Sequence, residues 1–303
     1  MPTVFEVLYE LALDIRTQDV YKKFTAHHNP NRVEVEGDLR TAITTLTIPG
    51  ERFIPTKWHF VRTFVRNYVN RAHAVASSNE ILDCLSAVED LYTKDIDRIK
   101  YLPREIANRL NGSRIDAFIG TLEKLTDPNP IKDLNNQSYL DWIDQQWIYW
   151  VNKKTNELYP NEMISSLKVM YKNKKTKLFG IGLPLAANFF ADCGLPAFAK
   201  PDLHVCPIIS MLTFAEGEEN IFKGLVEITK IESTKINRRN FEWLEDLGGL
   251  RPRHLDRIIY LIASDSFVLN DRKNKSFAPK RRILIKQRLI DAGLIRSEYS
   301  SLS

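Results

Sequence analysis

Residues Lys177 to Val205 read KLFGIGLPLAANFFADCGLPAFAKPDLHV. Gly180 and Gly182 flank Ile181 ahead of a small-residue apolar run, Leu185 to Ala191, that reads as a helix. Glycines at a helix start let an anion such as a phosphate approach backbone N–H groups where the helix dipole is positive. Asp202 lies eighteen positions after Pro184 and is followed by Leu203 and His204. A lone carboxylate that an apolar setting holds against a bound nucleotide is a candidate catalytic group.

In order and spacing this stretch resembles the helix-hairpin-helix glycine/proline/aspartate superfamily of DNA base-excision glycosylases, the endonuclease III-like fold. Leu178-Phe179-Gly180-Ile181-Gly182 stands where that family carries Leu-Pro-Gly-Val-Gly, and Pro201-Asp202-Leu203-His204-Val205 stands at its Val-Asp-x-His motif. The direct match covers about thirty residues; a Gly-x-Gly alone would be a weak signal. The resemblance implies an all-α, two-lobed fold, a helical barrel ending in the hairpin, and a nucleotide pocket in the cleft between the lobes. Mapped onto this chain, the barrel takes residues 56–199, with the helix-hairpin-helix at about 163–192, and 1–55 with 200–303 form the other lobe.

Two departures shape what is carried over. Pro184 stands where the strand-cutting members place a lysine that attacks the sugar carbon as an amine nucleophile. Proline has no amine, so the resemblance implies a monofunctional glycosylase that works through Asp202 and water. Lys200, two residues before Asp202, either lowers the pKa of that carboxyl by charge proximity or snorkels to solvent.

The chain has 303 residues, 44% of them hydrophobic, which is enough for one large or two moderate domains with ample core. No run of about 18 apolar residues is present, which excludes a spanning helix. Met1 to Asp14 carries acids within its apolar pattern and no basic leader, which argues against a signal peptide and for an intracellular setting, beside the nucleoid in a bacterium. Cys84, Cys193 and Cys206 are too few and too scattered for a disulfide framework or a zinc site. After Cys206 there is no cysteine, so the four-thiolate iron–sulfur cluster of some family members is not expected. The expectation is no metal and no cofactor, with a monovalent cation at the hairpin as the one inorganic partner the resemblance suggests.

Charge is uneven along the chain. Residues 1–150 carry 18 Lys and Arg against 21 Asp and Glu, whereas 151–303 carry 25 against 17. The basic half is the one with the hairpin, and a polyanion such as duplex DNA rewards such a surface through counterion release. Lys172, Lys174, Lys175 and Lys177 immediately precede the hairpin and are expected to touch double-stranded DNA. Arg272, Lys273, Lys275, Lys280, Arg281, Arg282, Lys286 and Arg288 form a second cluster that is either DNA-binding or a solvated face. The protein is expected to act as a monomer, without a membrane.

Helical spacing recurs through Phe5, Leu8, Leu11, Ala12 and Ile15, through Ile81, Leu82, Leu85, Val88 and Leu91, and through Ile115, Phe118, Ile119, Leu122 and Leu125. Met163 to Tyr171, Ile221 to Thr229 and Pro252 to Ala263 are of the same kind, whereas Val33-Glu34-Val35 alternates like a short strand. Ile54-Pro55, Asp127-Pro128-Asn129-Pro130, Tyr159-Pro160 and Gly248-Gly249 mark turns.

The implied chemistry is cleavage of the N-glycosidic bond between a base and deoxyribose. The base must first be flipped out of the stack, which costs a few kcal/mol and less for a damaged or mispaired base. As it leaves, positive charge develops on the sugar, and Asp202 would stabilise it or orient water. Aspartate before a helix is also a common N-cap, and the two roles can coexist. Together with Asp202, the expected DNA contacts are Gly180, Ile181, Gly182, His204, Lys175, Lys177 and Lys200. Trp142, Trp147 and Trp150, in a cluster with Tyr139 and Tyr149, are candidate walls of a base pocket or ordinary core. His27 and His28 suggest a surface loop, and Arg251 to Asp256 a closing helix with a packing role.

Two other readings use the same residues. One is a helix-hairpin-helix protein that binds DNA without cutting it; the other is a glycosylase with lyase activity through Lys177 or Lys200. The excised base is not legible, and alkylated, oxidised, mismatched and hypermodified viral bases all fit. Repair and defence against phage carrying modified DNA are therefore both to be tested.

Overall fold

The computed structural model describes residues 2–23, 32–44, 55–72, 86–88, 90, 96–109, 115–264 and 278–295. These are mostly helical and form two compact units. One comprises residues 1–51, 154–160 and 196–303; the other comprises 52–153 and 161–195. The sequence reading kept 154–160 inside a single barrel lobe, whereas that short segment belongs with the first unit.

The first unit contains α1 (Val4–Lys23), α2 (Arg32–Thr44), α9 (Val205–Thr213), α10 (Glu218–Lys235), α11 (Glu242–Glu245), α12 (Pro252–Ser264) and α13 (Ala278–Asp291). Phe5, Leu8, Leu11, Ala12 and Ile15, spaced as a helical stripe, are all buried in its core. The strand expected at Val33 to Val35 is instead part of α2. Val35, Leu39 and Ile43 recur every four residues and are each at most 2% exposed, so the helical period overrides the local alternation. At the centre of the unit, α12 contacts α1, α2, α9, α10 and α13. Ten of its thirteen residues are buried, including Arg253, His254 and Asp256. Burying such groups is costly without partners, and their partners bear on the candidate site.

The second unit contains α3 (Lys57–Ala72), α4 (Leu102–Arg109), α5 (Ile115–Thr126), α6 (Tyr139–Val151), α7 (Pro160–Tyr171) and α8 (Leu183–Asp192). Helix α3 packs on α6 and α8, with Phe64 edge-on to Phe189 at 6.2 Å. Helix α8 is too short to persist alone. Leu183, Ala186, Ala187, Phe189 and Phe190 hold it through burial, roughly 1.5–3 kcal/mol for each large side chain. Of the helix expected at 81–91, only 86–88 and 90 are described, with Val88 buried. No described helix is long and apolar enough to cross a membrane.

Candidate functional site

The hairpin joins α7 to α8 and is tied down from several sides. The Leu178 N–H donates to Met170 O at 2.8 Å, the Thr176 hydroxyl to Val169 O at 2.7 Å, and the Phe179 N–H to the Thr121 hydroxyl of α5 at 3.0 Å. The Ile181 N–H closes a turn on Leu178 O at 3.3 Å, with Gly180 at φ 72° in its third position. That left-handed conformation is what a glycine supplies there without steric strain. Leu178 and Thr176 point inward, whereas Lys172, Lys174, Lys175, Lys177, Phe179 and Gly180 are exposed. Lys175 also pairs with Asp133 at 3.2 Å.

Gly182 caps α8 in an extended conformation, with Pro184 in the first turn. Proline removes one N–H from that turn and leaves those of Gly182, Leu183 and Leu185 outside the helical ladder. A Cβ at Gly182 would meet only Pro184 Cδ, at 3.8 Å. Among the described residues, therefore, nothing demands glycine at 182, unlike 180, and a bare backbone there leaves room for an anion at the helix start. Gly182→Ala is expected to lower stability by no more than about 1 kcal/mol, which thermal melting reads.

Carbonyl oxygens in this loop are the donor type a monovalent cation takes. Those of Lys175 and Lys177 already accept the Lys124 ammonium, at 2.9 and 3.2 Å, and that of Leu178 accepts the Ile181 N–H. The Lys175 and Lys177 oxygens are thus already engaged by a positive charge of the chain itself. Lys124 was missed in the sequence because it lies on α5, far from the motif it braces.

In the first unit, Asp202 stands just before α9. Its Oδ1 accepts the N–H groups of His204 at 2.9 Å and Val205 at 3.1 Å, and its carbonyl accepts those of Val205 and Cys206. Asp202 thus caps the turn that leads into α9, whose N-cap position is His204, as its place before a helix allows. The second oxygen, Oδ2, faces the Lys200 ammonium at 3.6 Å, and the Asp202 side chain is 13% exposed. Lys200 is therefore paired with the carboxylate rather than extended away from it. The Asp202 N–H donates to Lys200 O at 2.8 Å, so backbone and carboxylate are both fixed. Leu203, next in the chain, is 81% exposed, an unusual setting for leucine on a structured turn.

His204 is half-buried, edge-on to Tyr260 at 5.5 Å. Burial lowers its pKa; Asp202 opposes the shift, and Arg282 and Lys200 add to it. Arg282 of α13 therefore acts electrostatically on His204, which links one member of the C-terminal basic cluster to the Asp-Leu-His segment. Arg288 of the same cluster pairs with Asp14 at 2.8 Å, and Arg272, Lys273 and Lys275 lie outside the described residues, as do His27 and His28. Cys193 is buried and Cys206 half-buried; both are free thiols. Burial pushes the Cys206 thiol up to about 11, with the Asp202 and Glu218 charges contributing.

Of the two readings the sequence leaves open for Trp142, Trp147 and Trp150, their burial favours ordinary core. Trp142, Trp147 and Trp150 are 6, 7 and 2% exposed. Trp142 packs between Tyr139 and Phe190, and the Trp147 indole N–H donates to Cys193 O at 2.9 Å. The outward face of α6 carries Ile148 and Tyr149 instead.

The sequence also gave Arg251 to Asp256 only a packing role. In the structure Arg253 and Asp256 form a buried ion pair at 2.8 Å, Asp256 Oδ2 accepts the Lys200 N–H at 3.1 Å, and the Arg253 N–H donates to Pro196 O at 3.0 Å. Two charged residues three apart at the start of an apolar helix were the available signal. No protein-family model, curated protein or solved structure matches this chain.

Proposed function

We propose that this protein is a monofunctional DNA glycosylase that flips a damaged or modified base out of duplex DNA and excises it, leaving an abasic site. The observation that carries the reading is the Asp202 carboxylate, fixed through Oδ1 by two backbone N–H groups with Oδ2 against Lys200, within the Asp-Leu-His segment. A carboxylate already oriented does not have to reorganise as positive charge develops on the departing sugar, and that is the condition for effective electrostatic stabilisation. Oδ2, the oxygen not engaged by the cap, is the group to face the sugar or orient water. The exposed lysines and the open start of α8 support a backbone-binding role for the hairpin, where phosphate contacts position the protein without reading sequence.

Pro184 supports the monofunctional assignment. The candidate substitutes for a lyase amine are Lys200, which is paired with Asp202, and Lys177, which is exposed on the hairpin loop. The capping role of Asp202 favours one competing reading, a DNA-binding module in which this residue only ends a helix.

Incubation with duplexes bearing alkylated, oxidised, deaminated, mismatched and phage-type modified bases, followed by alkali, is expected to cut one class of duplex at the modified position. Borohydride added during the reaction is expected to trap no covalent complex. A trapped complex overturns the monofunctional assignment, and intact duplexes throughout, with binding retained, favour the module. The class that is cut distinguishes repair from defence against modified phage DNA.

A further inference from the structure

The pair Arg253–Asp256 is nearly dry, with side chains 5 and 3% exposed. A buried ion pair is weak evidence for stability, because apolar residues of similar volume often serve a core equally well. What this pair does that apolar residues cannot do is hold backbone. Asp256 Oδ2 accepts the Lys200 N–H, and the Lys200 carbonyl accepts the Asp202 N–H at 2.8 Å; separately from the side-chain pair, the main-chain N–H of Arg253 donates to the carbonyl of Pro196 at the start of the same segment. Ala197, Phe198, Ala199 and Pro201 between these points are buried, so the segment has little freedom to settle elsewhere. Asp202 is therefore held from both sides: from downstream by its own cap on His204 and Val205, and from upstream through Lys200 by Asp256. Burial, the largest influence on the Asp256 carboxyl, raises its pKa, the neighbouring Asp202 charge acts in the same direction, and Arg253 and the Lys200 N–H oppose both.

We infer that Asp256, held in place by Arg253, is a positioning residue that sets the Lys200–Asp202 backbone and with it the aim of the Asp202 carboxylate. This rests on the glycosylase reading. Misplacing a reacting group by about 1 Å can lower a rate on the order of 10²-fold, so the effect belongs in the chemical step, with DNA affinity unchanged.

Two double variants isolate the hydrogen bond from the charge. Arg253→Met with Asp256→Leu removes the ion pair and the acceptor for the Lys200 N–H. Arg253→Met with Asp256→Asn removes the ion pair and keeps an acceptor oxygen. Neither leaves a lone buried charge. Single-turnover excision, duplex affinity and amide hydrogen exchange across residues 197–206 are measured for both and for the wild type. The leucine variant is expected to excise about 10–100-fold more slowly at unchanged affinity, with faster exchange of the Lys200 amide. The asparagine variant should restore most of the rate and the protection. Wild-type rates in the leucine variant, or unchanged exchange at Lys200, overturn the positioning role while leaving the glycosylase reading in place. A wild type that excises no base overturns both.

Discussion

Asp202→Asn is expected to abolish base release, by at least about 10²-fold in single-turnover rate, while leaving the fold nearly untouched. The contrast follows from the two jobs this residue holds. Asparagine caps a helix about as well as aspartate, so an amide oxygen in place of Oδ1 still accepts the His204 and Val205 N–H groups. It brings no negative charge to meet a developing sugar cation. Asp202→Ala loses both the charge and the cap, and the lost cap adds a destabilisation of about 1 kcal/mol. Melting curves and excision rates for wild type, Asn and Ala separate the roles: equal stability of wild type and Asn with activity in only one assigns the charge to catalysis. If Asn retained the wild-type rate, Asp202 would be a cap and nothing more.

Acid is expected to destabilise the first unit through His254. This residue is fully buried at the third position of α12, where its Nδ1 accepts the Arg251 N–H at 3.2 Å, the contact a capping-box Glu or Gln makes. Burial, reinforced by the charges of Arg251 and Arg253, pushes its pKa down from 6.5 to about 3. The folded state thus holds a neutral imidazole over a range in which the unfolded chain binds a proton. The stability tied to this difference is fully present above about pH 6.5 and is lost progressively as the pH falls towards 3, by on the order of 4–5 kcal/mol. Asp256 and Glu232 act in the opposite sense: burial raises both carboxyls, so in the folded state they take up protons at a higher pH than in the unfolded chain. His254→Gln keeps a capping acceptor and removes the titration. Denaturant midpoints at pH 7 and pH 4 should therefore diverge strongly for the wild type and much less for the variant. Parallel losses in the two proteins would assign acid lability to other groups.

How far the sequence carried these conclusions differs from element to element. Helix α1 was legible because Phe5, Leu8, Ala12 and Ile15 keep the 3.6-residue period over several turns. Helix α2 was not, because Val33 to Val35 is too short a window to distinguish a period of two from the four-residue spacing of Val35, Leu39 and Ile43. The tryptophans show the limit on site residues. Composition marks an aromatic cluster, but only the register of α6, with Trp142, Ile143, Trp147 and Trp150 on its inner face and Ile148 and Tyr149 outside, shows that the cluster is core. The turn at Gly180 was legible because a positive φ has a residue signature; the indifference of the fold to glycine at 182 was not, because it depends on the empty space around that backbone. The motif singles out Asp202 as a candidate, but it does not point to the residues that hold it. Lys200 N–H to Asp256 spans 56 positions of chain, and nothing local to either residue announces the contact.

The most direct test is mass spectrometry of free bases released by the wild type from DNA carrying alkylated, oxidised, deaminated and phage-type modified bases, with Asp202→Asn in parallel. The glycosylase reading predicts one class of free base from the wild type and none above background from the variant. No free base from any DNA, with duplex binding retained by both proteins, would contradict it and leave the hairpin as a DNA-binding module.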